Sequence, residues 1–295
     1  MSQTVAFLGL GVMGGYMAAN LARQGYTVQG WNRTPQKSGV EIAASAGVQI
    51  VPTIEAAVRE ADVVFSCVGD VPDVEAVLLG ASGAAHYAAP QTLLVDFSTI
   101  GSQGAKTIAH ALAHHNLRFL DAPISGGDVG AKNGTLTIMV GGSESDFQAA
   151  LPYFEAMGQN IRLCGPVGSG QAVKMCNQIL CALNLVGICE AMLLAQKQGL
   201  DPQIVVEVCG TGAAGSWALS NLGLKVATGD FAPGFMIKHI LKDLRLVREI
   251  AETARQELPG VALAEDLFKR VEALDELAQE QGTQAMMRAY LGLAE

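Results

Sequence analysis

"TVAFLGLGVMGGYMAANL", residues 4–21, decides how the first half of this chain reads. Its opening TVAFL is strand-like. The run then breaks on Gly9, Gly11 and Gly14, and helical spacing begins directly afterwards. A strand, a G-x-G-x-x-G turn and a helix, in that order, give the context in which this glycine spacing binds a dinucleotide. Gly9 permits the tight turn, Gly11 lets a pyrophosphate approach the main chain, and Gly14 lets the helix pack close to the strand. Val12 and Met13 open that helix, where unsatisfied amides and the helix dipole favour anions.

The alternation continues outward. "TVQGW", "ADVVFSCVG", "TLLVDFST", "LRFLDAP", "TLTIMVGG" and "IRLCG" read as strands, with helical segments interleaved between most of them. Short apolar strands separated by helices of ten or more residues predict βαβ units and a largely parallel sheet. After about residue 165 the strand signals stop. From Gly170 to Lys197 nothing ends a helix, and a 28-residue helix would be ~42 Å long at 1.5 Å per residue. That is too long for one small core, so it passes from one domain to the next. Asp201 and Pro202 then start another helix as a cap and a first-turn proline. "LSNLGLKVA", "MIKHILKDLRLVREIAETARQ" and "ALAEDLFKRVEALDELAQEQG" read as helices too. The expected architecture is an α/β dinucleotide-binding domain, residues 1–163, followed by an all-helical C-terminal domain, residues 164–295. A long interdomain helix, about 169–198, joins them.

The second strand ends in "GWNRTPQ", residues 30–36. A site for NAD places an acid here to accept from the ribose hydroxyls. This chain has Asn32 and Arg33, and no acid nearer than Glu41. Arg33 can hold a 2'-phosphate in bidentate fashion and stack on the adenine, with Asn32 and Thr34 as further donors. NADP(H) is therefore the expected cofactor. Two more strand ends lie on the ligand side of such a sheet. "SCVGD" places Cys67 and Val68 there, and "DFST" places Thr99 where it can bond near the nicotinamide.

The bulk composition narrows the partners. Of 295 residues, half are apolar, 16% are charged and 34 are glycine, with a formal net charge of -9. That suits a packed enzyme, and without a long basic run it argues against nucleic acid or an anionic membrane as a general partner. Six cysteines without CxxC pairing read as buried thiols in a reducing compartment. The first strand has no basic segment ahead of it, so a signal peptide is not expected. Lys174, Asn177, Gln178, Asn184 and Glu190 make the apolar helix a poor membrane span. The expected location is the cytoplasm.

Two uses fit Lys174 when it is read alone. Its stem covers apolar surface while the amine reaches water, or its charge takes part in a reaction. Asn177, three residues on, shares its helix face. "DAPISGGDVGAKNGTLTIMVGG", residues 121–142, starts as a strand and breaks into a loop. Ser125 and the amides of Gly126 and Gly127 offer a nest there for a carboxylate. Lys238 and Lys242, four apart in "KHILKDLRL", mildly oppose each other unless an anion or an acid sits between them, and a solvated stripe fits them as well.

Taken together, "FLGLGVMGGYMAANL" at 7–21, "DAPISGGDVGAKNGTLTIMVGG", "GPVGSGQAVKMCNQ" at 165–178 and "KDLRLV" at 242–247 resemble the β-hydroxyacid dehydrogenase family. That group includes 3-hydroxyisobutyrate dehydrogenase, tartronate semialdehyde reductase and 6-phosphogluconate dehydrogenase. The resemblance implies a Rossmann-type domain and a helical domain used for dimer or tetramer assembly. It implies that Lys174 takes the catalytic lysine's position and Asn177 its companion's. Ser125, Gly126 and Gly127 match the loop that holds the substrate carboxylate. Lys242 matches the lysine that closes over cofactor and substrate, with Asp243 orienting that helix. The chemistry agrees, because aldehyde reduction needs a proton at oxygen that a lysine ammonium can supply. Related imine reductases replace this lysine. A 6-phosphogluconate enzyme is expected to be far longer and to need several basic phosphate ligands, so tartronate, methylmalonate or succinate semialdehyde, or glyoxylate, are the substrates expected. Asn32 and Arg33 depart from an NAD-linked, oxidative 3-hydroxyisobutyrate dehydrogenase and favour reduction.

Overall fold

The structure, a computed structural model, describes residues 3–292. The chain divides into two compact units, Met1–Lys174 and Met175–Glu295, with the boundary inside one long helix.

In the first unit, β1 (Thr4–Leu8), α1 (Val12–Arg23), β2 (Thr27–Trp31), α2 (Ser38–Ser45) and β3 (Gln49–Ile50) come first. Then follow α3 (Ile54–Val58), β4 (Val63–Ser66), α4 (Val71–Leu78), β5 (Leu93–Asp96), α5 (Gly101–His114) and β6 (Arg118–Asp121). The unit continues through β7 (Ile124–Ser125), α6 (Gly127–Asn133), β8 (Leu136–Gly141), α7 (Glu144–Glu155) and β9 (Gly158–Gly165). The strands form one sheet in the order β3-β2-β1-β4-β5-β6-β8-β7, and β9 pairs with β8. The first six are parallel and in the order of a doubly wound dinucleotide-binding sheet. β6 and β7 each run antiparallel to β8.

Alternation along the strands explains why both faces are covered. Val5 and Phe7 of β1, Val63 and Phe65 of β4, and Leu93 and Val95 of β5 pack into one core. Their neighbours Ala6, Leu8, Val64 and Leu94 pack into the other. A sheet sandwiched between helices needs this continuous apolar run. The strand order reverses between β1 and β4, so the crevice beyond their carboxyl ends is where such a sheet takes ligands.

The second unit takes most of α8 (Ser169–Lys197), then α9 (Pro202–Gly210), α10 (Trp217–Thr228), α11 (Ile237–Thr253), α12 (Pro259–Glu272) and α13 (Met287–Leu291). Apart from one isolated bridge, Met236 to Gly282, its described residues carry no strand pairing. Ala182, Leu185, Ile188, Cys189 and Met192 of α8 pack with Ile240, Leu244, Leu267 and Phe268. By length and composition alone α8 could cross a membrane.

The N-terminal α/β fold, the helical bundle and the long joining helix are as expected from the sequence. Several details differ. The loop expected after "DAPIS" folds from Gly127 to Asn133 into α6, because Gly126 and Gly127, at φ of 131° and 63°, turn the chain into a helix start. The helix expected across 262–282 stops at Glu272, and a short 3-10 turn follows at Ala278–Glu280. Leu180, on the apolar helix, is exposed. Only Cys189 of the six thiols is buried, and Cys176 is exposed.

Candidate active site

The glycine turn can be tested atom by atom. A Cβ on Gly9, which has a φ of 99°, would lie 2.3 Å from the Cys67 carbonyl oxygen. Glycine therefore lets the ends of β1 and β4 touch at the reversal point. A Cβ on Gly14 would meet the Gly9 oxygen at 2.0 Å, whereas one on Gly11 would meet nothing within 4 Å. The space over Gly11 is open, and no side chain caps α1 there. An uncapped helix start under open space fits a pyrophosphate. Gly15 and Gly39, which the sequence reading passed over, do similar work between α1 and α2. A Cβ on Gly15 would sit 2.3 Å from the Gly39 oxygen.

At the end of β2, Asn32 turns inward. Its Oδ1 accepts from the Leu10 amide at 2.8 Å and its Nδ2 donates to the Thr34 carbonyl at 2.7 Å. Asn32 thus braces the glycine turn against the 32–34 turn, and its amide is already engaged there. Arg33 extends outward with its side chain 77% exposed, and its Nη1 donates to Asp73 Oδ1 at 2.8 Å. Past β4, the Val68 amide donates to Ser98 Oγ at 2.9 Å. This joins the two strand-end segments that carry Cys67, Val68 and Thr99.

The sequence reading also missed a pair of acids at neighbouring strand ends. Asp96 and Asp121 face each other across β5 and β6, and both are fully buried. Ser66 and Ser98 hydroxyls donate to Asp96 Oδ1 at 2.7 and 2.8 Å. Burial pushes the Asp96 carboxyl up to about 6 against those hydrogen bonds. Asp121 is also pushed up to about 6 by burial, while backbone amides of the α8 start oppose the rise. Its Oδ1 accepts from the Gly168 amide at 2.6 Å and its Oδ2 from the Gln171 amide at 2.9 Å.

Gln171, itself fully buried, makes the second anchor. Its Oε1 accepts from the Ile100 and Gly101 amides, and its Nε2 donates to the Ser98 carbonyl. The first turn of α8 is thereby fastened to the carboxyl ends of β5 and β6. A Cβ on Gly170 would meet the Met139 oxygen at 2.2 Å, so the helix start lies flat against β8 as well. Lys174 follows Gln171 by three residues, on the same helix face. It is only 6% exposed, which removes the option of an amine reaching freely into water.

In the second unit, Asn177 is half-buried, and its Nδ2 donates to Gln178 Oε1 at 2.8 Å. Gln178 in turn donates to the buried Asp243 carboxylate at 2.6 Å, and Lys242 Nζ lies 3.0 Å from Asp243 Oδ1. Lys238 bonds Glu280 at 2.7 Å. Each lysine of the pair therefore has its own acid, which removes the repulsion expected from the i,i+4 spacing. Ser125 closes β7, and Gly126 and Gly127 begin α6, which keeps the three contiguous. Among the described residues no His, Cys, Asp or Glu group is arranged to hold a metal ion.

Comparison with known proteins fits this geometry. Residues 4–165 match the NAD binding domain of 6-phosphogluconate dehydrogenase, and residues 168–290 match the NAD-binding domain of NADP-dependent 3-hydroxyisobutyrate dehydrogenase. The chain belongs to the 3-hydroxyisobutyrate dehydrogenase, or β-hydroxyacid dehydrogenase, superfamily. An uncharacterised oxidoreductase of Synechocystis is 54% identical over 97% of both chains. The 2-hydroxy-3-oxopropionate reductase of Escherichia coli is 38% identical over 90% of this chain and 89% of its own length. The 3-hydroxyisobutyrate dehydrogenase of Mycobacterium tuberculosis, solved with L-serine, superposes with a TM-score of 0.86 at 33% identity, covering 98% of this chain and 99% of its own. As a β-hydroxyacid dehydrogenase, the chain is an NAD(P)-dependent oxidoreductase of a small hydroxyacid or semialdehyde.

Proposed function

We propose that the protein reduces a short carboxylated aldehyde to the hydroxyacid with NADPH, and catalyses the reverse oxidation. Tartronate, succinate or methylmalonate semialdehyde, or glyoxylate, is the substrate class. The observation that carries this reading is the burial of Lys174 one turn beyond a helix start tied to the ends of β5 and β6. These are the ends at which a doubly wound sheet binds its dinucleotide.

The bound nicotinamide supplies the hydride at carbon. The Lys174 ammonium polarises the carbonyl oxygen and then gives it a proton, and in oxidation the neutral amine takes that proton back. Asn177 holds the amine or the substrate hydroxyl without adding charge. Ser125 with the amides of Gly126 and Gly127 receives the carboxylate, and Lys242 adds a cation for carboxylate and cofactor. Gly9, Gly11, Val12, Met13 and Gly14 hold the pyrophosphate, and Arg33 with Thr34 takes the 2'-phosphate. Cys67, Val68 and Thr99 border the nicotinamide half, and Asn32 acts by bracing the glycine turn. A 3-hydroxyisobutyrate dehydrogenase working oxidatively would use the same groups in reverse. The L-serine in the Mycobacterium tuberculosis relative supports that second direction.

The chain also acts as a homodimer or homotetramer in this reading. Leu180, Leu194, Val208 and Trp217 of the helical unit leave apolar side chains exposed, as an assembly surface does.

The cofactor half of the proposal is tested by Arg33→Ala. KM for NADPH is expected to rise by about 10-fold or more, as loss of a charged bidentate contact predicts, with KM for NADH nearly unchanged. Equal effects on both cofactors would contradict it.

A further inference from the structure

Arg33 meets a carboxylate that the α4 cap also holds. Asp73, forty residues further along, accepts from Arg33 Nη1 at 2.8 Å through Oδ1. Its other oxygen accepts from the Asp70 amide at 3.3 Å, one half of a reciprocal cap that starts α4. A Cβ on Gly69 would press on that oxygen at 2.6 Å, so the β4–α4 turn is shaped around the Asp73 side chain. Asp73 is 32% exposed and Arg33 77%. The acid is the anchored member of the pair, and the arginine is the member free to turn.

We propose that Asp73 is a specificity-determining residue: its carboxylate competes with the 2'-phosphate of NADP for the Arg33 guanidinium, and so moderates the preference for NADP over NAD. The inference rests on Arg33 being the 2'-phosphate ligand. Two ways of binding NADP follow from the geometry. Either Arg33 leaves Asp73 and a bare carboxylate stays beside the phosphate, or Arg33 keeps both and the two anions sit across one guanidinium. Both cost NADP binding, because like charges repel at this range. Neither affects NAD, whose ribose hydroxyl is neutral and can donate to a carboxylate. No acid stands near the end of β2 in the sequence. The fold supplies one from the first turn of α4 instead.

The test is Asp73→Asn, which removes the charge and keeps an acceptor for the Asp70 amide, measured beside Arg33→Ala. An exposed pair is weak, so KM for NADPH is expected to fall by about 3-fold to 5-fold, with KM for NADH unchanged or raised. The shift should shrink at 0.5 M salt, where the screening length is only ~4 Å. Asp73→Ser, another uncharged acceptor, should act in the same direction if charge is the cause. If Arg33→Ala selectively weakens NADPH but neither Asp73 variant moves the NADPH to NADH ratio, the competition is refuted while the role of Arg33 stands. If Arg33→Ala affects both cofactors equally, the 2'-phosphate reading itself falls.

Discussion

Replacing Lys174 with alanine is expected to lower kcat for semialdehyde reduction by about 10^3-fold, with NADPH binding kept within a few-fold. Positioned general acids contribute about 10^2- to 10^4-fold, and polarisation of the carbonyl by the same ammonium belongs to that loss. The side chain is 6% exposed, so water has little access to replace it. Lys174→Arg keeps the charge and should rescue little, because the guanidinium does not give up its proton. The measurement is steady-state turnover beside fluorescence titration of NADPH. A mutant that kept most of its kcat would remove the lysine from the mechanism.

Asp121→Ala is expected to damage stability and turnover together. It leaves the Gly168 and Gln171 amides without their buried acceptor. Orphaned buried donors cost ~1–3 kcal/mol each, so the apparent Tm should fall clearly. Lys174 lies one turn beyond Gln171, and a shift of ~1 Å in a catalytic group can cost ~10^2-fold in rate. We therefore expect kcat to fall by about 10- to 100-fold, with KM for NADPH changing less.

The acid also sets a pH dependence. Its carboxyl stands at about 6 in the fold, above the ordinary value of 3.8. The folded chain then holds a proton that the unfolded chain has released. Its stabilising contribution is full below about 4 and is lost as pH rises through about 6. Thermal melts of the parent and of Asp121→Asn should show the difference moving in the parent's favour as pH falls from 7.5 to 5. A difference independent of pH would contradict the shifted ionisation.

Patterns confined to neighbouring residues were legible in the sequence. The glycine turn follows from spacing after a strand, and α8 follows from a long apolar stretch without proline between Ser169 and Lys197. What was not legible joins distant residues. Asp121 bonds residues 47 and 50 positions away, Gln171 bonds residues about 70 positions away, and Asp73 meets Arg33 across 40. Only strand order brings these together. A weak signal did exist, because Asp96 and Asp121 each end an apolar strand, where a buried acid needs donors from elsewhere. The inward turn of Asn32 carried no signal at all, since spacing cannot tell a brace from a ligand.

The most direct measurement is initial-rate reduction of tartronate, succinate and methylmalonate semialdehydes and of glyoxylate, each with NADPH and with NADH. The expected result is saturable turnover of at least one of them, with kcat/KM higher for NADPH, and loss of that turnover in Lys174→Ala. Binding of NADPH with no oxidation by any carboxylated aldehyde, or a clear preference for NADH, would contradict the account.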